Sequence, residues 1–107
     1  MKKIRILLGF ASVIAIAGTS RAATVLTVDQ RALTFSVSRL IASRGTIVSF
    51  TNNDNTSHNI LVTGNGISLN SGLQRPGVAF NAPFTRAGTY QVICGIHPKM
   101  KMTVLVR

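Results

Sequence analysis

The chain has 107 residues, one cysteine, and twelve lysines and arginines against two acidic residues, for a net charge of +10. A single cysteine excludes an intramolecular disulfide, and the length leaves room for one domain. Nucleic acid is the usual partner of so basic a chain, but the basic residues here are scattered singly with few aromatics between them, which argues against it.

The first element is a targeting segment. Lys2, Lys3 and Arg5 open it, an uncharged and mostly apolar run follows from Ile6 to Gly18, and small residues stand at Ser20, Ala22 and Ala23. That is the layout of a secretory signal peptide cut after Ala22. The apolar run is 13 residues long, short of the roughly 20 that a bilayer-spanning helix needs. Residues 1–22 are therefore expected to be removed on export to the periplasm, leaving 23–107 as one domain with no stable membrane insertion. The eight basic residues that remain, against Asp29 and Asp54, give the mature part +6, a balance that favours acidic partners.

The rest of the chain alternates with period two and is rich in β-branched residues, so it reads as strands. Val25–Asp29 and Leu33–Val37 come first, and Thr46–Thr51 follows, opened by Gly45. The polar turn Asn52–Ser57 leads into a strand over His58–Thr63. Residues 64–77, rich in Gly, Asn and Ser, read as loop with room for a short irregular strand. Val78–Asn81 is a weaker strand, and Thr89–Cys94 and Met102–Arg107 complete the set. Seven to eight short strands separated by turn signals predict an all-β, antiparallel Greek-key β-sandwich.

Chemistry concentrates in the connection Cys94-Gly95-Ile96-His97-Pro98-Lys99-Met100, between the last two strands. Cysteine, histidine and methionine at successive intervals of three can converge in a tight loop. A thiolate, an imidazole and a thioether suit copper, and two histidines with one cysteine and a weak axial methionine make a blue-copper site. The only other histidine beyond the signal segment is His58, so it alone can complete the set. Two methionines, Met100 and Met102, compete for the axial place.

The stretches Phe50–Ile60, Ala87–Tyr90 and Cys94–Val106 resemble the small cupredoxins, nearest the amicyanin, plastocyanin and pseudoazurin group. The resemblance implies one copper ion cycling between Cu(I) and Cu(II), held by His58, Cys94, His97 and Met100. Met100 follows His97 at the amicyanin spacing and Met102 at the plastocyanin spacing. A terminal strand of amicyanin-like length, and the face that Met102 shares with Val104 and Val106, favour Met100. Asn59 matches the family residue whose hydrogen bonds tie the two ligand segments together. His97 and Pro98 would form the electron's exit, with Lys99 and Lys101 steering a redox partner that presents an acidic docking surface.

The function expected is one-electron transfer by a monomeric carrier. A copper-trafficking or storage protein is the alternative, although no Met- or His-rich tract accompanies the loop. Catalysis is not expected. A Cys94 nucleophile with a His97 base would share one short loop, which suits joint metal ligation better than a substrate pocket, and a multicopper oxidase needs histidines that the chain lacks.

Overall fold

The computed structural model describes residues 22–107, and among them nine strands form two sheets packed face to face. Residues 1–21, which carry nearly all of the expected signal peptide, lie outside the described residues. The strands are β1 (Val25–Arg31), β2 (Thr34–Phe35), β3 (Arg39–Ala42), β4 (Thr46–Asn52), β5 (Ile60–Gly64), β6 (Ile67–Asn70), β7 (Phe80–Phe84), β8 (Gly88–Cys94) and β9 (Lys101–Val106). One sheet runs β2-β1-β4-β7 and the other β3-β9-β8-β5-β6. No described helix is long and apolar enough to cross a membrane.

Side-chain alternation decides what each strand buries. β4 turns Val48 and Phe50 inward from one sheet, while β8 and β9 turn Tyr90, Val92, Cys94, Met102, Val104 and Val106 inward from the other. The two inner faces interleave into a single core. Phe84 and Tyr90 meet across it edge to face, with ring centroids 5.1 Å apart. The Tyr90 hydroxyl donates to the Arg86 carbonyl at 2.7 Å, fixing the corner by which the chain enters β8.

The structure corrects the expectation that every pairing is antiparallel. β1 pairs with β4 in parallel, and β3 with β9 in parallel, so both sheets are mixed. Each of these pairs joins strands far apart in sequence, and period-two patterning carries no information on strand direction. β3 was not expected at all, because Arg39–Ala42 is a short edge strand without a clear alternation. β6 is the short strand for which the 64–77 loop left room, and the strand expected at Val78–Asn81 begins two residues later and runs to Phe84. It tolerates Pro83 because β7 is an edge strand, where a missing N–H is permitted.

Register brings the chemistry to one end of the sandwich. β1 and β4 run side by side until Gln30 lies opposite Asn52, and antiparallel β8 and β5 place Cys94 opposite Ile60. The ends of β1, β4 and β8 and the starts of β5 and β9 thus share one pole. Replacing Tyr90 by Phe removes one part-buried hydrogen bond far from that pole. It should cost about 1 kcal/mol, read as a lower urea midpoint with an unchanged slope.

Candidate metal centre

Cys94 is the last residue of β8 and lies on its inward face, fully buried. The loop that follows is closed by three backbone hydrogen bonds. Cys94 N donates to the Met100 carbonyl at 3.0 Å, Met100 N to the His97 carbonyl at 2.8 Å, and Gly95 N to the Asn59 carbonyl at 2.8 Å. The first two fold residues 94–100 back on themselves, which returns His97 to the cysteine. The third staples the loop to the residue after His58.

Three donor atoms converge as a result. Cys94 Sγ lies 3.5 Å from His58 Nδ1 and 3.9 Å from His97 Nδ1, and all three atoms lie within 4.8 Å of one another. Two bonds of the lengths seen for imidazole nitrogen and thiolate sulfur, meeting at one ion at a trigonal angle, span about 3.7 Å. One soft sulfur and two imidazoles at these separations fit a copper ion. Met100 is buried beside them and shares a surface depression with His97 and Pro98. Met102 points into the core from β9, in register with Val92.

His58 was expected to open a strand, but β5 begins at Ile60 and His58 stands just outside it. Its backbone makes a lone two-bond bridge with Gln74. Its ring is fully buried, and Nε2 lies 2.7 Å from Asp54 Oδ2. Burial pushes the Asp54 carboxyl up, but hydrogen bonds from His58, Leu33 and Ala32 outweigh it and hold the group below the usual carboxylate range. An ionised Asp54 accepts a hydrogen bond from Nε2–H, so the lone pair of His58 sits on Nδ1, facing the sulfur.

Asp54 does a second job. Its carboxylate also accepts from the backbone N–H groups of Ala32 and Leu33. Both residues have left-handed backbones, with φ of 55° and 58°, a strain on the order of 1–3 kcal/mol for each non-glycine residue. The turn between β1 and β2 is therefore anchored by the same side chain that orients His58. In the sequence Asp54 stands out only as one of two acidic residues and within the stretch Phe50–Ile60; its offset of four residues from His58 was the available signal.

Asn59 ties the two segments together through its backbone. Its N–H points at Cys94 Sγ from 3.4 Å and its carbonyl accepts from Gly95. The side-chain amide turns away, donating to Asn70 Oδ1 and the Gly72 carbonyl. A Cβ at Gly95 would strike Asn59 Oδ1, so a larger residue there would have to displace that side chain. Of the residues expected to meet a partner, Pro98, Lys99 and Lys101 are exposed, and His97 is half-buried.

Known proteins are similar to this chain in sequence pattern and fold. A family described as copper binding proteins, plastocyanin/azurin family, matches residues 22–107. A search of curated proteins returns no match. Among solved structures, a reduced tryptophan-to-tyrosine variant of amicyanin is 26% identical, covers 81% of this chain and 86% of its own, and superposes with a TM-score of 0.72. The Cu(I) form of a methionine-to-alanine variant of amicyanin has the same identity and coverage and a TM-score of 0.73. A reduced Cu(I) proline-to-glycine variant of amicyanin at pH 4 is 25% identical over 83% of this chain and 86% of its own, with a TM-score of 0.71.

Both acidic residues matter to acid stability. Burial raises the Asp29 carboxyl, but hydrogen bonds from Thr51, Asn53 and the Gln30 backbone, with Arg31 nearby, bring it below the ordinary value of 3.8, as for Asp54. A carboxyl depressed in the folded state adds stability that is fully present above its unfolded value and is lost as pH falls through the folded one. The unfolding free energy of metal-free protein should therefore be flat in this respect down to about pH 5 and fall steadily below about pH 4. Asp54→Asn should shallow that fall, as read from urea midpoints against pH.

Proposed function

The chain belongs to the plastocyanin/azurin family of copper-binding proteins, and on that premise we propose that it is an exported type 1 copper protein that carries single electrons between protein partners. Its ligands in this reading are His58, Cys94, His97 and Met100. The observation that carries it is the meeting of one thiol and two imidazole nitrogens within 4.8 Å at a buried pole of a β-sandwich. When bound, copper supplies a reversible one-electron couple between Cu(I) and Cu(II).

The protein's part is to hold its donors still. Cys94 is fixed by the β8–β5 register, His58 by Asp54 and Gln74, and His97 by the closed loop. A site set by packed strands changes little when charge moves, which keeps reorganisation small. The Asn59 N–H aimed at the sulfur, together with burial, tunes the potential. For the axial place, Met100 is favoured over Met102 because its backbone carbonyl is bonded to Cys94 and it lines the depression shared with His97, while Met102 lies within β9 in register with Val92.

Transfer is proposed to run through His97. Of the two imidazoles it is the one that reaches the surface, in a depression lined by Leu33, Ile96, Pro98, Lys99 and Met100. Leu33, Ile96 and Leu73 are exposed apolar side chains at this pole, and Lys99 and Lys101 stand on the same loop and the strand after it. A redox partner with an acidic rim around a small apolar contact fits that surface, met by a monomer. In this reading residues 1–22 are a cleaved signal peptide, residues 23–107 are the working domain, and the exchange takes place in the periplasm. The composition offers no substrate pocket chemistry, so the protein is read as a carrier and not an enzyme.

The test is a visible and EPR spectrum of the copper-loaded protein. An intense sulfur-to-copper charge-transfer band with a reversible one-electron couple is expected, and a colourless, redox-silent complex would defeat the reading. Met100→Ala should shift the spectrum and potential, whereas Met102→Leu should leave both near wild type. Slow copper loss to a chelator is expected of a carrier; rapid exchange would favour delivery. Oxidation of the reduced protein by ferricyanide, an anion, should slow as ionic strength rises, and Lys99→Glu should slow it further at low salt.

A further inference from the structure

His58 is the one proposed ligand whose backbone lies in neither a strand nor the closed 94–100 loop. What holds it is Gln74, in the connection between β6 and β7. His58 N donates to the Gln74 carbonyl at 2.9 Å, and Gln74 N donates to the His58 carbonyl at 2.8 Å. These two bonds place His58 only as firmly as Gln74 is itself placed, and Gln74 also lies outside every strand.

The Gln74 side chain answers that need. It is 1% exposed and reaches across to the opposite sheet, where Nε2 donates to the Phe50 carbonyl at 2.8 Å as well as to the Val78 carbonyl at 2.7 Å. Phe50 opposite Phe80 is the last pair of the β4–β7 ladder, so the Gln74 amide bonds to β4 where that ladder stops. Its Oε1 accepts from Gln30 Nε2 at 2.8 Å, and its carbonyl accepts a second bond from Asn52 Nδ2 at 3.0 Å. Every polar atom of Gln74 is thus engaged.

The network carries a cost that packing alone does not explain. Gln30, Asn52 and Gln74 are three buried amides beside an apolar core, and Gln30 Oε1 is the one buried side-chain oxygen or nitrogen without a partner among the described residues. Apolar residues of similar size would fill the space without that penalty. Apolar residues could not link the Phe50 carbonyl of one sheet to the backbone of His58 beside the other.

We infer that Gln74 is a positioning residue for the metal centre, clamping His58 to β4 across the sandwich, with Gln30 fixing the orientation of the Gln74 amide. The inference rests on His58 as a copper ligand and adds the device that sets its place. Gln74→Met keeps the length of the side chain and removes its hydrogen bonds. It should lower copper affinity by about 10- to 100-fold, change the charge-transfer band ratio and the EPR copper hyperfine splitting, and speed exchange of the His58 amide in metal-free protein. A Gln74→Met protein with wild-type affinity and spectrum, even if less stable to heat, overturns the inference.

Should Gln74→Met fail to fold, Gln30→Met decides. It leaves both donations of Gln74 in place and withdraws the donor to Oε1. A smaller loss of copper affinity with a spectral shift in the same direction supports the clamp, and wild-type values overturn it. A colourless wild-type protein defeats the copper-carrier reading instead. In that event the His58 amide in metal-free Gln74→Met still settles the clamp, since unchanged protection there overturns it.

Discussion

The centre depends on the antiparallel pairing of β8 with β5, which sets Cys94 opposite Ile60. Cys94 closes the inward face of β8 below Tyr90 and Val92, so its sulfur cannot move without disturbing the core. His58 lies two residues before Ile60 and is fully buried, as Ile60 is. A shift of register by one residue would turn the thiol outward and empty the site. Because core packing enforces the register, the donors are arranged by folding rather than by the ligand.

Around that fixed sulfur the other groups are held by polar contacts, and these come from distant parts of the chain. Asp54 reaches His58 and the Ala32–Leu33 turn with one carboxylate. That turn also contributes Leu33 to the depression around His97, so the orientation of a buried imidazole and the shape of the exposed apolar surface share an anchor. Asn59 contributes mainly as backbone, with its side chain spent on the 70–72 turn. The hydrogen bonds that join the two segments come from the Asn59 backbone N–H and carbonyl.

The division between the two histidines follows from burial. His58 is enclosed and paired on its far nitrogen, whereas His97 is half-buried and lies among Ile96, Pro98 and Lys99. The rings sit edge to face, with centroids 5.3 Å apart. One imidazole therefore anchors the site from inside and the other faces solvent. The depression around His97 is lined by one charged side chain, Lys99, among Leu33, Ile96, Pro98 and Met100.

Local pattern determined the β-sandwich, the cluster of Cys94, His97 and Met100 in one loop, and His58 as the only histidine that could join them. Those features follow from period-two alternation and from a count of side chains, both of which survive in a linear string. The parallel pairings of β1 with β4 and β3 with β9, the short edge strand β3, and the placement of His58 outside β5 were decided by tertiary structure alone. So were the contacts of Asp54 with Ala32 and Leu33 and of Gln74 with Gln30, Phe50 and His58, which join residues 21 to 44 positions apart in most cases. Hydrogen bonds of that range leave no periodic trace in sequence, because their partners are chosen by which strand ends the two sheets bring to the same pole.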